Sequence, residues 1–386
     1  MIAYNTTWLY NLLIRDQADE ALNQHCITGG ENEIIFTAHA VNFYTPNFFV
    51  RIGLFILTVI IALFTLGLFL LAFLSGSDNQ IGGLMIFLGV LAYISLEVMV
   101  AKRHYKSGVD DALLWIAPAS IVAGFNIMAT ISYMENAIII FILSLFLFIR
   151  FINMVIAGIA GIAFISVLFL AFIKLGESAK ATAPFVVMIA SASIYLFATK
   201  MLKKEKYKFY FNGLLLISIV ALTGFYIAGN YFVVRETSIA MFNLDLQEGQ
   251  AIPLGWLFWI LTFIIPVIYI ARGIQKKDVV LLRVGLALIA AMIFTVRYYY
   301  HVMPAETAAV IGGVSLIAIS YALIRYLREP KYGFTYKKED DPMMMEKLQI
   351  ESLIIAETLP VVQQPADKGF QFGGGSGGGA GASGEF

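Results

Sequence analysis

The 386-residue chain is 60% hydrophobic and 13% charged, its 26 basic and 26 acidic side chains cancel, and its mean hydropathy is +0.81. Soluble domains carry about a quarter charged residues, so bilayer dimensions, not a water-facing core, set the unit of organisation. The single cysteine, Cys26, excludes an intrachain disulfide and a multi-cysteine metal site. The four histidines are not paired within one apolar block as a membrane haem would require, and no basic, aromatic-interleaved surface suggests nucleic acid.

Residues 1–51 form a polar to amphipathic lead-in with no basic n-region and short apolar run, so no cleavable signal peptide is expected. Trp8, Leu9, Leu12, Leu13, Ala18, Ala21 and Leu22 recur at helical spacing, with Thr6 or Thr7 available as N-cap. A second short helix is expected after Gly29 and Gly30. Phe43, Tyr44, Phe48 and Phe49 around Pro46 suit an aromatic belt at the entry to the first span. The unit either lies on the membrane surface or binds a protein partner.

Apolar blocks measured against about 20 residues per crossing fall at 52–74, 81–101, 112–131, 137–149, 151–175, 184–202, 209–229, 255–274, 279–296 and 307–327. The stretch 137–175 is ambiguous, because one long tilted helix and two helices joined at Arg150 both satisfy hydropathy. Cytoplasmic loops carry excess Lys and Arg, and this decides between them. Splitting the stretch gives ten spans, with nineteen Lys and Arg on the side of both termini and four (Lys174, Lys180, Arg235, Arg297) on the other. A single span leaves nine against thirteen. Ten spans with cytoplasmic termini is therefore the reading, and the fourth, only 13 residues long, must be extended by its flanks, shielded, or re-entrant.

Beyond the last span, Asp341 and Pro342 suit the start of an amphipathic helix of about 17 residues with Met344, Met345, Leu348, Leu353, Ile354 and Ile355 as its apolar stripe. It either docks on the cytoplasmic face or takes a partner. Residues 328–369 thus form a cytoplasmic helix and tail, and 370–386 a Gly-rich segment that cannot build a core, whether an engineered linker or a native tail. The ending FGGGSGGGAGASG and the lead-in LIRDQADEALNQHCIT resemble those of a bacterial family of polytopic membrane proteins of unknown function. The resemblance covers the two ends and the general layout. It implies a multi-pass protein of the bacterial inner membrane and brings no activity, cofactor or site residue.

Ionisable groups inside spans are costly and are functional suspects by default. Glu97, Arg150 and Arg283 lie within a turn or two of the cytoplasmic interface, where snorkelling also explains them; a Glu97–Arg283 pair or a Glu97 proton site is the functional alternative. Pro118 and Pro266 sit mid-span five helices apart, an arrangement that suits the broken helices of inverted-repeat transporters, with Asn126 as a polar group at depth; tolerated kinks are the bland explanation. On the outer side, Arg235, Glu236 and Asp245 lie in a loop expected over 230–254, and Arg297, Tyr298 and His301 close the ninth span. The run from Arg297 to His301 forms an aromatic girdle or, with the loop residues, walls an external pocket. No Walker, HExxH, GxSxG or CxxC motif occurs, and no catalytic residue, metal or cofactor is assigned. The sequence therefore describes an all-α, ten-span bundle in contact with the lipid bilayer. Small-solute transport or permeation leads, ahead of a non-catalytic scaffold working through the terminal helices and an outward-facing enzyme.

Overall fold

A backbone in hydrocarbon must satisfy its own hydrogen bonds, and helices do so within one segment. The computed structural model describes residues 2–72, 77–242 and 252–299, with separate helical positions between 307 and 325. Over these residues the chain is all-α. Two helices, α1 (Thr6–Asn23) and α2 (Gly29–Ala38), precede a bundle of α3 (Phe48–Ala72), α4 (Asp78–Ala101), α5 (Val109–Met128), α6 (Tyr133–Phe151), α7 (Met154–Ile173), α8 (Glu177–Leu202), α9 (Phe211–Gly229), α10 (Tyr231–Phe242), α11 (Gly255–Lys276) and α12 (Val279–Tyr299). A 3-10 turn over Glu205–Tyr210 leads into α9. Nine of these elements, all but α1, α2 and α10, are long and apolar enough to cross a membrane, which makes this a multi-pass membrane protein. The expected tenth span, 307–327, falls mostly outside the described residues, as do the C-terminal helix and the Gly-rich tail.

The ambiguous stretch is two helices. Ile152 adopts a left-handed φ of 58° as the C-cap of α6, and the side chain of Asn153 accepts from Val155 N and Ile156 N to start α7. The expected 13-residue fourth span is in fact 19 residues, because a Ser132–Glu135 capping box starts it earlier, at Tyr133. At about 1.5 Å per residue it is roughly 28 Å long, so it needs neither a re-entrant path nor shielding. The loop expected over 230–254 instead contains α10. α9 stops at Asn230, and Asn230 Oδ1 accepts from Val233 N in the first turn of α10.

α1 and α2 form a hairpin. Asn5, not Thr6 or Thr7, caps α1, accepting from Thr7 N and Trp8 N. Thr28 and Glu31 form a capping box at the start of α2. Arg15 reaches across to donate to the carbonyls of Phe36 and His39, both at 2.7 Å, placing a cation on carbonyls that the end of α2 leaves unpaired. A residue that reads as a topogenic charge in the sequence thus also joins two helices.

Within the bundle, α4 and α5 pack most extensively, and the reason is small residues. A Cβ on Gly124 would lie 2.6 Å from the Gly82 carbonyl oxygen, and one on Gly89 2.9 Å from that of Ala117. The two backbones therefore touch, as small residues permit in membranes. α9 is central to the second half and packs against α7, α8, α11 and α12. Leu222 and Tyr226 of α9 meet Ile265 and Tyr269 of α11 and Leu281, Val284 and Leu288 of α12. Between the halves, α5 meets α6 only lightly. α3 leans on α5 and to a lesser degree on α4, and no position of its apolar stretch is buried.

Gly124→Val is expected to destabilise the detergent-purified protein by about 1–3 kcal/mol through overpacking. Gly53→Ala on α3, where nothing lies within 4 Å, is expected to stay within about 0.5 kcal/mol. Thermal unfolding of both variants checks this, and equal effects would contradict close α4–α5 packing.

Candidate functional site at the basic end of the bundle

Residues 2–51, the α4–α5 loop, the α6–α7 turn and the 3-10 turn before α9 all meet at one end of the bundle. The contacts that gather them there fall on the last turn of α6. Arg150 donates from Nε to Glu97 Oε1 and from Nη2 to Glu97 Oε2, both at 2.8 Å. This parallel two-bond geometry makes an Arg–carboxylate pair strong and directional. Tyr93, one turn before Glu97 on α4, donates its hydroxyl to Glu97 Oε1 at 2.6 Å. The pair is partly exposed, with side-chain accessibilities of 31% and 27%. Glu97 therefore pairs with Arg150, across from α4 to α6, and not with Arg283.

The helix end itself is stitched to its surroundings. A helix leaves its last carbonyls without intrahelical donors, and here other segments supply them. Ala3 N donates to Arg150 O at 2.9 Å, and the Tyr210 hydroxyl donates to Ile149 O at 2.9 Å. Tyr4 then inserts against Phe43, Tyr105 and Phe151, with ring centroids 6.2, 5.0 and 6.3 Å away in edge-on geometry. It is only 8% exposed and joins Leu96, Val100, Leu114, Leu147 and Phe151 in one apolar cluster. Burial, reinforced by the Asp110 carboxylate, pushes its phenol well above the ordinary value, so it stays neutral. Phe43 stacks on Tyr105 and meets Trp8 edge-on. Phe43 thus serves the cluster and not the aromatic belt expected at the entry to α3, and Tyr44 pairs with His104 in an isolated bridge.

The neighbouring loop is braced by charge. Arg51, 9% exposed at its side chain, donates from Nε and Nη2 to Asp111 Oδ2 at 2.9 and 2.7 Å. Buried Asp110 accepts from the backbone and hydroxyl of Ser107, whose hydroxyl also contacts His104 Nδ1 at 2.9 Å. Gly108, at φ +94°, brings this loop onto α3, since a Cβ there would lie 2.1 Å from the Arg51 carbonyl. That φ and that contact both require glycine.

The other singled-out residues are dispersed. Asn126 lies near the opposite end of α5, exposed, and exchanges side-chain hydrogen bonds with Asn136 of α6 at 2.8 and 3.1 Å. Pro118 on α5 and fully buried Pro266 on α11 lie on helices that do not pack extensively on one another. Arg283, in the second turn of α12, has a buried Nη1 without a hydrogen-bond partner. Of the outer set, Arg235 contacts Glu236 at 3.4 Å and lies 5.4 Å over the Tyr299 ring, and Tyr299 donates to Glu236 at 3.3 Å. Tyr298 packs on Phe232 and Phe294, and Arg297 is half-buried in the last turn of α12. Asp245 and His301 lie outside the described residues. A buried polar cluster in this half, Asn230 with Tyr226 and Thr295 at 2.9 Å each, surrounds the α9–α10 break, while Thr262 accepts from Tyr231 N. Among the described residues no group of three His, Cys, Asp or Glu is placed to hold a metal ion.

Tyr93, Asn136, Tyr4 and Tyr210 were not selected in the sequence. The first had a signal, since Tyr93 and Glu97 are four apart on one helix face. Tyr4 and Tyr210 had none, because Tyr210 bonds a distant carbonyl of α6 and Tyr4 packs on rings distant in sequence. Comparison of the chain with protein-family models, with curated proteins and with solved structures gives no match in any of the three.

Glu97→Gln is expected to lower stability by about 1.5–3 kcal/mol, the range for a hydrogen bond to a charged group. Arg150→Lys, which cannot make two parallel bonds, should lose a similar amount. Because both act on one pair, the double variant Glu97→Gln/Arg150→Lys should lose less than the sum; additive losses in thermal unfolding would contradict the pairing.

Proposed function

We propose that the protein provides a gated passage for a small polar solute along the seam between α4–α5 and α6, with the basic end in the cytoplasm. One observation carries this reading. The polar span residues Glu97, Arg150 and Asn126 are paired across the same seam, Glu97 with Arg150 at the basic end and Asn126 with Asn136 at the other, where direct helix packing is light. Polar groups inside a membrane mark solute pathways more often than they serve lipid contact, and pairs that break and re-form are a common gate element. The excess of Lys and Arg at this end supports a cytoplasmic orientation.

A second reading, a membrane scaffold, is favoured by α3. Phe49, Leu63, Phe64 and Leu68 on it are each more than 60% exposed, and a helix so little covered by its own chain suits either lipid or a partner helix.

The test uses the near-isosteric Ser144→Cys, introduced with Cys26→Ser. Ser144 is buried on α6 in the stripe that continues Leu147 and Phe151 towards mid-membrane. In sealed vesicles, a membrane-impermeant thiol reagent should modify Ser144→Cys and spare Ile142→Cys, which faces outward at 58% exposure. Glu97→Gln should accelerate the reaction. A Ser144→Cys as inert as Ile142→Cys, with or without Glu97→Gln, would sink the passage.

A further inference from the structure

We propose that residues 2–8 are a releasable strap that holds the seam shut at its basic end, and that the α1–α2 hairpin is the handle that moves it. As the regulation of a passage, this rests on the function proposed above; as a mechanical link, it stands on its own contacts.

The strap touches both sides of the seam. On the α4–α5 side, Tyr4 packs against Tyr105, and Trp8 lies under Arg103, whose Cζ is 5.3 Å from the ring. On the α6 side, Ala3 N is bonded to Arg150 O and Tyr4 meets Phe151. Two residues from the Arg150 contact, Asn5 caps α1. Tilting α1 therefore pulls directly on Tyr4. Along the hairpin, the buried residues are Leu9 and Ala18 of α1, with none in α2, and Lys208 lies over the Tyr10 ring at 4.0 Å. Leu9 of α1 and Tyr4 enter one cluster, so a tilt of α1 acts on that cluster. The anchors are also of the kind that separate cleanly. One backbone hydrogen bond and edge-on ring contacts can be lost without unfolding a helix, because the ladder of α6 does not depend on Ala3.

Regions that open locally do so by losing a few buried contacts, and the cluster beneath the strap should then admit solvent. A near-isosteric thiol at Val100, 8% exposed in that cluster, reports it, and Ser191→Cys, fully buried on α8, reports general loosening. Both are placed in the full chain with Cys26→Ser. With Tyr4→Ala, a charged methanethiosulfonate should modify Val100→Cys about tenfold faster or more, leaving Ser191→Cys unchanged. Tyr4→Phe, which keeps the packed ring, should behave as the parent protein. An unchanged Val100→Cys rate, or an equal rise at Ser191→Cys, would overturn the strap. If Val100→Cys responds while Ser144→Cys stays unreactive even with Tyr4→Ala, the strap stands and the passage falls.

Discussion

The last turn of α6 is where the structure is joined. Its two exposed carbonyls take donors from Ala3 and Tyr210, its guanidinium takes the Glu97 carboxylate, and Phe151 takes the Tyr4 ring. None of these partners lies within forty residues of it along the chain. A helix end inside a membrane protein must find donors somewhere, and here the donors are taken from the segments that have to be held together. The same need produces the left-handed Ile152 and the cap at Asn153, which turn the chain back within two residues and fix α7 beside α6.

From that junction the two halves behave differently. α4 and α5 form a rigid pair because glycines at Gly82, Gly89 and Gly124 let their backbones meet. The second half is organised by α9, whose break at Asn230 is tolerated because Thr262 accepts from the freed Tyr231 N and Asn230 Oδ1 from Val233 N, while Tyr226 and Thr295 hold the Asn230 side chain. Between these two bodies α5 packs on α6 less extensively than on α4, and the Glu97–Arg150 and Asn126–Asn136 pairs cross between them. The proposed passage, and the strap proposed to close it, are placed at this less extensively packed seam.

The sequence made much of the architecture legible because lipid imposes simple rules. Block length located the nine described spans to within about four residues at each end except the start of α8, which lies at Glu177 and not 184, and the placement of Lys and Arg split 137–175 at the correct turn, where hydropathy alone could not. It underestimated α6, since the capping box at Ser132 and Glu135 adds a turn that reads as polar loop. It missed α10, whose run from Tyr231 to Phe242 is too short and too polar to be counted as a span. The site was less legible. Glu97, Arg150 and Asn126 were singled out for being polar inside apolar blocks, yet their partners depend on which helices lie side by side, and no local period records that. Pro118 and Pro266 were attractive for their matching positions, but matching positions in sequence do not place two helices in contact.

The central claim is that the Glu97–Arg150 pair and Tyr4 together hold α4 to α6. Spin labels at Val98 of α4 and Ile149 of α6, both exposed at the basic end, report the distance between these helices by pulsed electron resonance in nanodiscs. One narrow distance distribution is expected in the parent protein, broadening and shifting outward when Glu97→Gln and Tyr4→Ala are combined. A distribution equally narrow, at the same distance, in the combined variant would contradict it.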